Sequence, residues 1–352
     1  MKCMPVSILL FIATTALFLA GCAALSGPDP TKAAACIERG NAHSEKGHYD
    51  LAIAAYSEAI RHRPTDAMAY NNRGLAYTNG KKQHDLAIAD FSRAIALQPE
   101  FAAAFVNRGL AYANKGLYDR ALADFSRAIA LAPTLAEARY NRGTAHFHLK
   151  NHGRAMADFN AAIELKPTFV MAYINRSGVC MATGRFDQAI ADCTAAIALN
   201  PRIPQAYSNL GSAYARKGLY RRAIVIFNMA MALGPMDAGI CYNRATAYFF
   251  SHQYGKAITD FSRVIALTPE QAMAYFYRGF AYAESGQPHL AVSDCTRAIA
   301  LNPNLTAAYE LRGAVHMLRL NNKANACADW EKACELGACR YYLLSREKGD
   351  CR

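Results

Sequence analysis

Six asparagines recur along the chain at intervals of 34 or 35 residues: Asn72, Asn107, Asn141, Asn175, Asn209 and Asn243. A primary amide donates and accepts hydrogen bonds at once, so a row of them suits a peptide backbone whatever its side chains. Five are followed directly by arginine (Arg73, Arg108, Arg142, Arg176, Arg244) and the sixth by Leu210. Each of these arginines has an acid 16 or 17 residues further on: Asp90, Asp124, Asp158, Asp192 and Asp260. Where arginine gives way to Leu210, the acid gives way to Ile226. Joint loss of both charges is the behaviour of a semi-buried ion pair, which apolar residues replace at little loss. Arg278 with Asp294 and Arg312 with Asp329 continue the pattern, whereas Arg39 faces Ala55 at the matching position. The arginines therefore read as scaffold. The asparagines, which persist where the charges vanish, read as candidate peptide-binding groups, with solvated residues inherited by duplication as the alternative.

The other residues capable of chemistry assemble into no catalyst. His146, His148 and His152 lie close in sequence but cannot share one helix face. No phosphate loop, nucleophile elbow or metalloprotease motif is present, so no enzyme activity, cofactor or metal is expected. Of eleven cysteines, Cys327, Cys334, Cys339 and Cys351 crowd the C-terminus and are disulfide candidates, with the pairing left open. Cys36, Cys180, Cys193, Cys241 and Cys295 stand where sister segments carry aromatic residues, which suggests small buried apolar groups.

The elements that position these residues follow from the prolines. Pro64, Pro99, Pro133, Pro167, Pro201, Pro235, Pro269 and Pro303 recur with the same beat, and between them apolar residues fall at three- and four-residue spacing. Each unit reads as two helices. A small residue marks the eighth position of every unit, as in Gly74, Gly143, Ser177 and Gly211, and alanine the twentieth, as in Ala87, Ala155 and Ala223. A large residue usually follows at position 24, as in Phe91, Phe159, Phe227 and Trp330. This pattern resembles the tetratricopeptide repeat (TPR). The resemblance implies an all-α, right-handed solenoid of about nine helix-turn-helix repeats over 33–337, with residues 338–352 as a capping helix. It also implies that the first helices line a concave groove, where Tyr140, Tyr242 and Phe249 join the asparagines as candidate peptide-binding residues. The asparagine row is similar to the ladder of O-linked N-acetylglucosamine transferases, but no catalytic region accompanies it.

The N-terminus carries a second resemblance. Lys2 and the apolar run "VSILLFIATTALFLA" lead to "LAGC", which looks like a bacterial lipoprotein signal. Residues 1–21 would be removed, Cys22 would be lipidated, and 22–32 would serve as a tether. Ala23 after the cysteine implies an outer-membrane lipoprotein facing the periplasm. Loss of Lys2 lowers the formal net charge of +12 by one, and the remaining excess is spread along the chain. That distribution argues against nucleic acid as partner. The expected function is a non-catalytic, membrane-anchored scaffold for peptide or helical segments of envelope proteins, in envelope assembly, pilus biogenesis or protease recruitment. A binder of cell-wall or lipid ligands through the basic surface is the alternative.

Overall fold

The computed structural model describes residues 29–234 and 237–351, and every regular element among them is helical. The leader 1–21 and Cys22 lie outside the described residues. Two compact units divide the chain at Arg120 and Ala121. The first holds α1 (Pro30–Glu45) with α2 (Tyr49–His62), α3 (Ala67–Lys81) with α4 (His84–Leu97), and α5 (Ala102–Asn114). Helix α6 (Tyr118–Leu131) runs into the second unit. There follow α7 (Ala136–His148) with α8 (His152–Leu165), α9 (Val170–Ala182) with α10 (Phe186–Leu199), and α11 (Pro204–Arg216) with α12 (Tyr220–Ala232). Next come α13 (Ala238–Phe250) with α14 (Tyr254–Leu267), α15 (Ala272–Glu284) with α16 (Pro288–Leu301), and α17 (Thr306–Leu318) with α18 (Lys323–Glu335). A short α19 (Arg340–Glu347) ends the series. Within each unit the first helix of a pair (A) packs on its own second helix (B), and B packs on the next A.

Local chemistry sets the boundaries. Helix α1 begins at Pro30, three residues before the expected edge of the array. The Asp29 carboxylate accepts from the Thr31 and Lys32 amides, and proline suits the first helical turn. The A–B turns close by a six-to-one hydrogen bond, as from Leu219 N–H to the Tyr214 carbonyl at 2.9 Å, with Gly218 at φ 75°. Lys150 and His252 take the same left-handed place at φ 59° and 60°. Helix B stops where proline forces the preceding residue into an extended conformation, as Asn200 before Pro201. The one-residue insertions differ in outcome. In repeat 2 the extra length goes into α3, 15 residues long, whereas in repeat 9 α17 keeps 13 residues and the loop after it lengthens.

The small residue at position 8 sets how closely A and B approach. A Cβ on Gly211 would lie 2.6 Å from the ring of Phe227, and on Gly74 2.6 Å from that of Phe91, both rings being fully buried. Trp330 takes this place in the last repeat and donates its indole N–H to the Glu310 carbonyl at 3.3 Å. The five isolated cysteines are buried. Burial pushes the Cys193 thiol up to about 11 and that of Cys295 to about 12. The four C-terminal cysteines form two bridges, Cys327–Cys351 and Cys334–Cys339, on either side of α19.

A pair of substitutions separates packing from helix propensity. Gly211 and Gly178 are both mid-helix, but a Cβ on Gly178 would meet only the Phe147 ring, at 3.8 Å. We expect Gly178→Ala to stabilise by about 0.5–1 kcal/mol. Gly211→Ala should destabilise by about 1–3 kcal/mol through overpacking. Urea unfolding monitored by circular dichroism reads both; equal signs would refute the close-approach account.

Candidate partner-binding face

The Arg–Asp pairs read from the repeats are present, and each arginine does more than pair. Arg176 Nε and Nη2 donate to the two Asp192 oxygens at 2.9 and 2.6 Å, while Nη1 donates to Asn160 Oδ1 at 2.8 Å. The same three-way fork recurs at Arg73, Arg142, Arg244, Arg278 and Arg312. Two prongs join A to B inside a repeat, and the third reaches helix B of the repeat before. The carboxylate hydrogen bonds hold these guanidinium groups above their ordinary pKa, against burial, which acts the other way. The third partner was missed from sequence: Ser57, Asn160, Asn228, Ser262 and Thr296 form a column of short polar residues whose period was visible. Arg39 is also not without an acid, since it pairs with Glu58, three residues beyond Ala55 on α2.

The six asparagines stand on the A helices, and the amide nitrogens of five of them are already engaged. Asn175 Nδ2 donates to Tyr140 Oη at 3.0 Å and Thr144 Oγ1 at 3.2 Å. Asn209 Nδ2 donates to Ser177 Oγ at 3.0 Å, and Asn243 Nδ2 to Ser212 Oγ at 3.4 Å. In the first unit Asn72 and Asn107 donate to Asn41 and Asn71 at 3.2 and 2.9 Å. Each of these five clips its helix to the preceding A helix. Asn141 is half-buried on α7. The donor half of each clip thus serves the stack. The acceptor differs: Asn72 Oδ1 is met by Asn71 at 3.2 Å and Asn209 Oδ1 by Gln205 at 2.8 Å, while among the described residues the bonds of Asn175 and Asn243 are made through their nitrogens.

The expected aromatic residues divide between face and core. Phe249 is 8% exposed and wedged edge-on among Tyr254, Tyr277 and Phe280, so it cannot serve a ligand as expected. One residue on, about 100° around the helix, Phe250 is 44% exposed and stacks on Tyr220. Tyr140 is half-buried between Phe159 and Phe169 and offers its hydroxyl to Asn175. Tyr242 lies edge-on to Phe261, and burial pushes its phenol up to about 12. Tyr277 replaces the asparagine in repeat 8 and stacks on Phe261, which ends the polar row. His146 is buried, and the described residues contain no cluster able to hold a metal ion.

Stacked hairpins joined by shared polar forks and amide clips define an α-helical repeat protein. Family profiles described as TPR repeat match residues 40–80, 81–116 and 179–218. Profiles described as tetratricopeptide repeat match 102–135, 136–169, 238–271 and 272–305. The chain belongs to the tetratricopeptide repeat family, and its fold is that of a protein–protein interaction scaffold. Among solved structures it is similar to the Cut9–Hcn1 hetero-tetramer of the APC/C, with TM-score 0.59 and 20% identity over 76% of this chain and 52% of that one. A tetratricopeptide repeat protein from Parabacteroides merdae matches with TM-score 0.55 and 19% identity over 71% of this chain and 99% of that chain. PilF of Pseudomonas aeruginosa matches with TM-score 0.53 and 17% identity over 58% and 92%. No curated protein sequence matches.

The forks are open to a direct test. Removing Arg176 or Asp192 alone leaves a buried charge unpaired and should cost about 3–5 kcal/mol. Arg176→Leu with Asp192→Ile, the combination present at Leu210 and Ile226, should recover most of that loss. A thermodynamic cycle from urea melts in which the two changes simply add would overturn the pairing's role.

Proposed function

We propose that the A-helix face binds segments of partner proteins, and that the chain does so as a lipid-anchored, non-catalytic scaffold of the cell envelope. The observation that carries the first part is the amide row. The clips fix the side-chain rotamers through their nitrogens, so the Oδ1 atoms of Asn175 and Asn243 are held ready without a further entropic cost on binding. Fixed acceptors at repeat spacing suit the backbone N–H groups of a chain laid along the face. The aromatic rings beyond the row, with Phe250 exposed, add apolar anchorage of the kind that dominates binding energy. The second part rests on the "LAGC" segment ending at Cys22. Several acyl chains hold a protein stably at a membrane where one alone is marginal. Envelope assembly, pilus biogenesis and protease recruitment are the settings such a scaffold would serve.

Both parts make distinct predictions. Crosslinking in the native envelope should identify partners whose capture falls at least about tenfold in Asn175→Ala/Asn243→Ala, a loss of about 1.4 kcal/mol. The same substitutions remove the clips and should lower stability by about 1 kcal/mol each, so capture is compared well below the melting temperature. Undiminished capture would sink the ladder. For the anchor, Cys22→Ser should release the protein from membranes in fractionation, and equal membrane retention would count against lipidation.

A further inference from the structure

The far end of the A-helix face changes its chemistry. Between α15 and α17, and walled by α19, lies a 300 Å³ cavity lined by Phe276, Phe280, Tyr341 and Leu311 together with the acidic residues Glu284 and Glu310. In repeats 2–8 the place of Glu310 is held by Asn71, Val106, Tyr140, Ile174, Ser208, Tyr242 and Phe276, so the acid is peculiar to this end. Glu284 corresponds to Asn114, His148, Ala182, Arg216 and Phe250 in repeats 3–7, and its only acidic counterpart among these units is Glu45 of repeat 1. Ala314 opens the space, where Phe280 fills the matching position one repeat earlier.

The two acids at this cavity stand outside the Arg–Asp fork network. The aspartates of the forks all face guanidinium groups, and the chain carries 39 Lys and Arg against 27 acids. Yet among the described residues neither Glu284 nor Glu310 takes part in an ion pair. Arg278 and Arg312, the nearest arginines in sequence, are committed to Asp294 and Asp329. Two carboxylates on one small cavity repel an anion and favour a cation. Aromatic walls offer no ligand to a bare metal ion, but they attract an organic cation through their ring faces and bury an aliphatic stem. The cavity is continuous with the aromatic cluster, since Phe280 lies 5.0 Å from Phe249 and 6.5 Å from Phe276. Its outer wall is fixed. Cys339 caps α19 and is bridged to Cys334, while Cys351 beyond the helix is bridged to Cys327.

We propose that this cavity is a cation subsite of the partner-binding face, taking the lysine or arginine side chain of a bound segment. The assignment rests on the face being the binding surface, and it adds the chemistry of the partner: a basic residue next to apolar ones, docking at the C-terminal end of the array.

The single tryptophan provides the readout, because Trp330 stacks on Tyr341 at 5.9 Å. The full chain is titrated with Nα-acetyl-arginine amide, its neutral isostere Nα-acetyl-citrulline amide, and spermidine, following Trp330 fluorescence. A saturable change with the arginine compound, at least about tenfold weaker with citrulline, is expected from two charge-assisted contacts. Glu284→Gln and Glu310→Gln, made singly and together, should abolish the difference while leaving the melting temperature within a degree or two. Asn175→Ala/Asn243→Ala should leave it intact, so failure of the amide row and failure of the subsite are separable. Equal responses to arginine and citrulline, or no saturable response to either, would overturn the proposal. Tighter binding of spermidine than of the arginine compound would overturn the side-chain assignment in favour of a free polyamine.

Discussion

The architecture depends on one close approach. Helices A and B of a repeat meet where a bare or nearly bare Cα faces a large ring, and the available gap is less than one methyl group wide, as Gly211 and Phe227 show. Everything above that level inherits its spacing. The fork of Arg176 spans from its own helix to Asp192 and to Asn160 with all three donor distances below 3 Å. A rigid guanidinium can satisfy three acceptors on two other helices only if all three helices keep a fixed separation. The mid-helix glycine, which costs about 1 kcal/mol against alanine, is offset by the ring that it lets in.

The forks contribute specificity of stacking more than raw stability. Repeat 6 has Leu210 and Ile226 in place of the pair, and the array continues through it with Leu210 buried. Thr194, which would meet the missing arginine, donates to the carbonyl of Ile190 on its own helix. Thr296 makes the same bond to the Val292 carbonyl while accepting from Arg312, so this exposed hydroxyl has a partner with or without the arginine. An apolar layer is therefore an acceptable substitute at one position. Used at every position, it would remove the directional bonds that set the register between successive repeats.

The fold was legible because nine copies of one hairpin compare themselves. The joint loss of Arg and Asp in repeat 6 revealed a spatial contact from sequence alone, and the proline beat gave the element boundaries to within a few residues. What stayed hidden had a common physical cause, which is rotation about a helix axis. Phe249 and Phe250 are neighbours in sequence and alike in type, yet one is core and the other is exposed. Arg39 finds Glu58 rather than Ala55, because a surface arginine is long enough to reach another turn. The amide clips were hidden for a different reason. Periodicity marks a residue as repeated, but an amide has two ends, and sequence does not say which of them the fold consumes.

That division of each amide constrains the ligand. In the proposed binding mode, the nitrogens of Asn175 and Asn243 are clipped to the preceding helix and their oxygens are offered as acceptors, so a ligand on this row is one that presents free N–H donors. Packed helices lie about 8–10 Å apart, so successive A helices offer one acceptor at about that spacing. A β-strand repeats every two residues, about 6.6 Å, and would turn alternate edges to successive acceptors. Polyproline II geometry advances about 9.3 Å in each three-residue turn, with every N–H outside a ring unsatisfied. A ligand in that form shows the same edge to each repeat, provided that no proline falls at the contact positions. An α-helical ligand has its backbone N–H groups consumed and could use only side-chain donors against the row. Under the proposed function, helical partners are thus better suited to the aromatic end of the face, around the exposed Phe250, and extended partners to the asparagines.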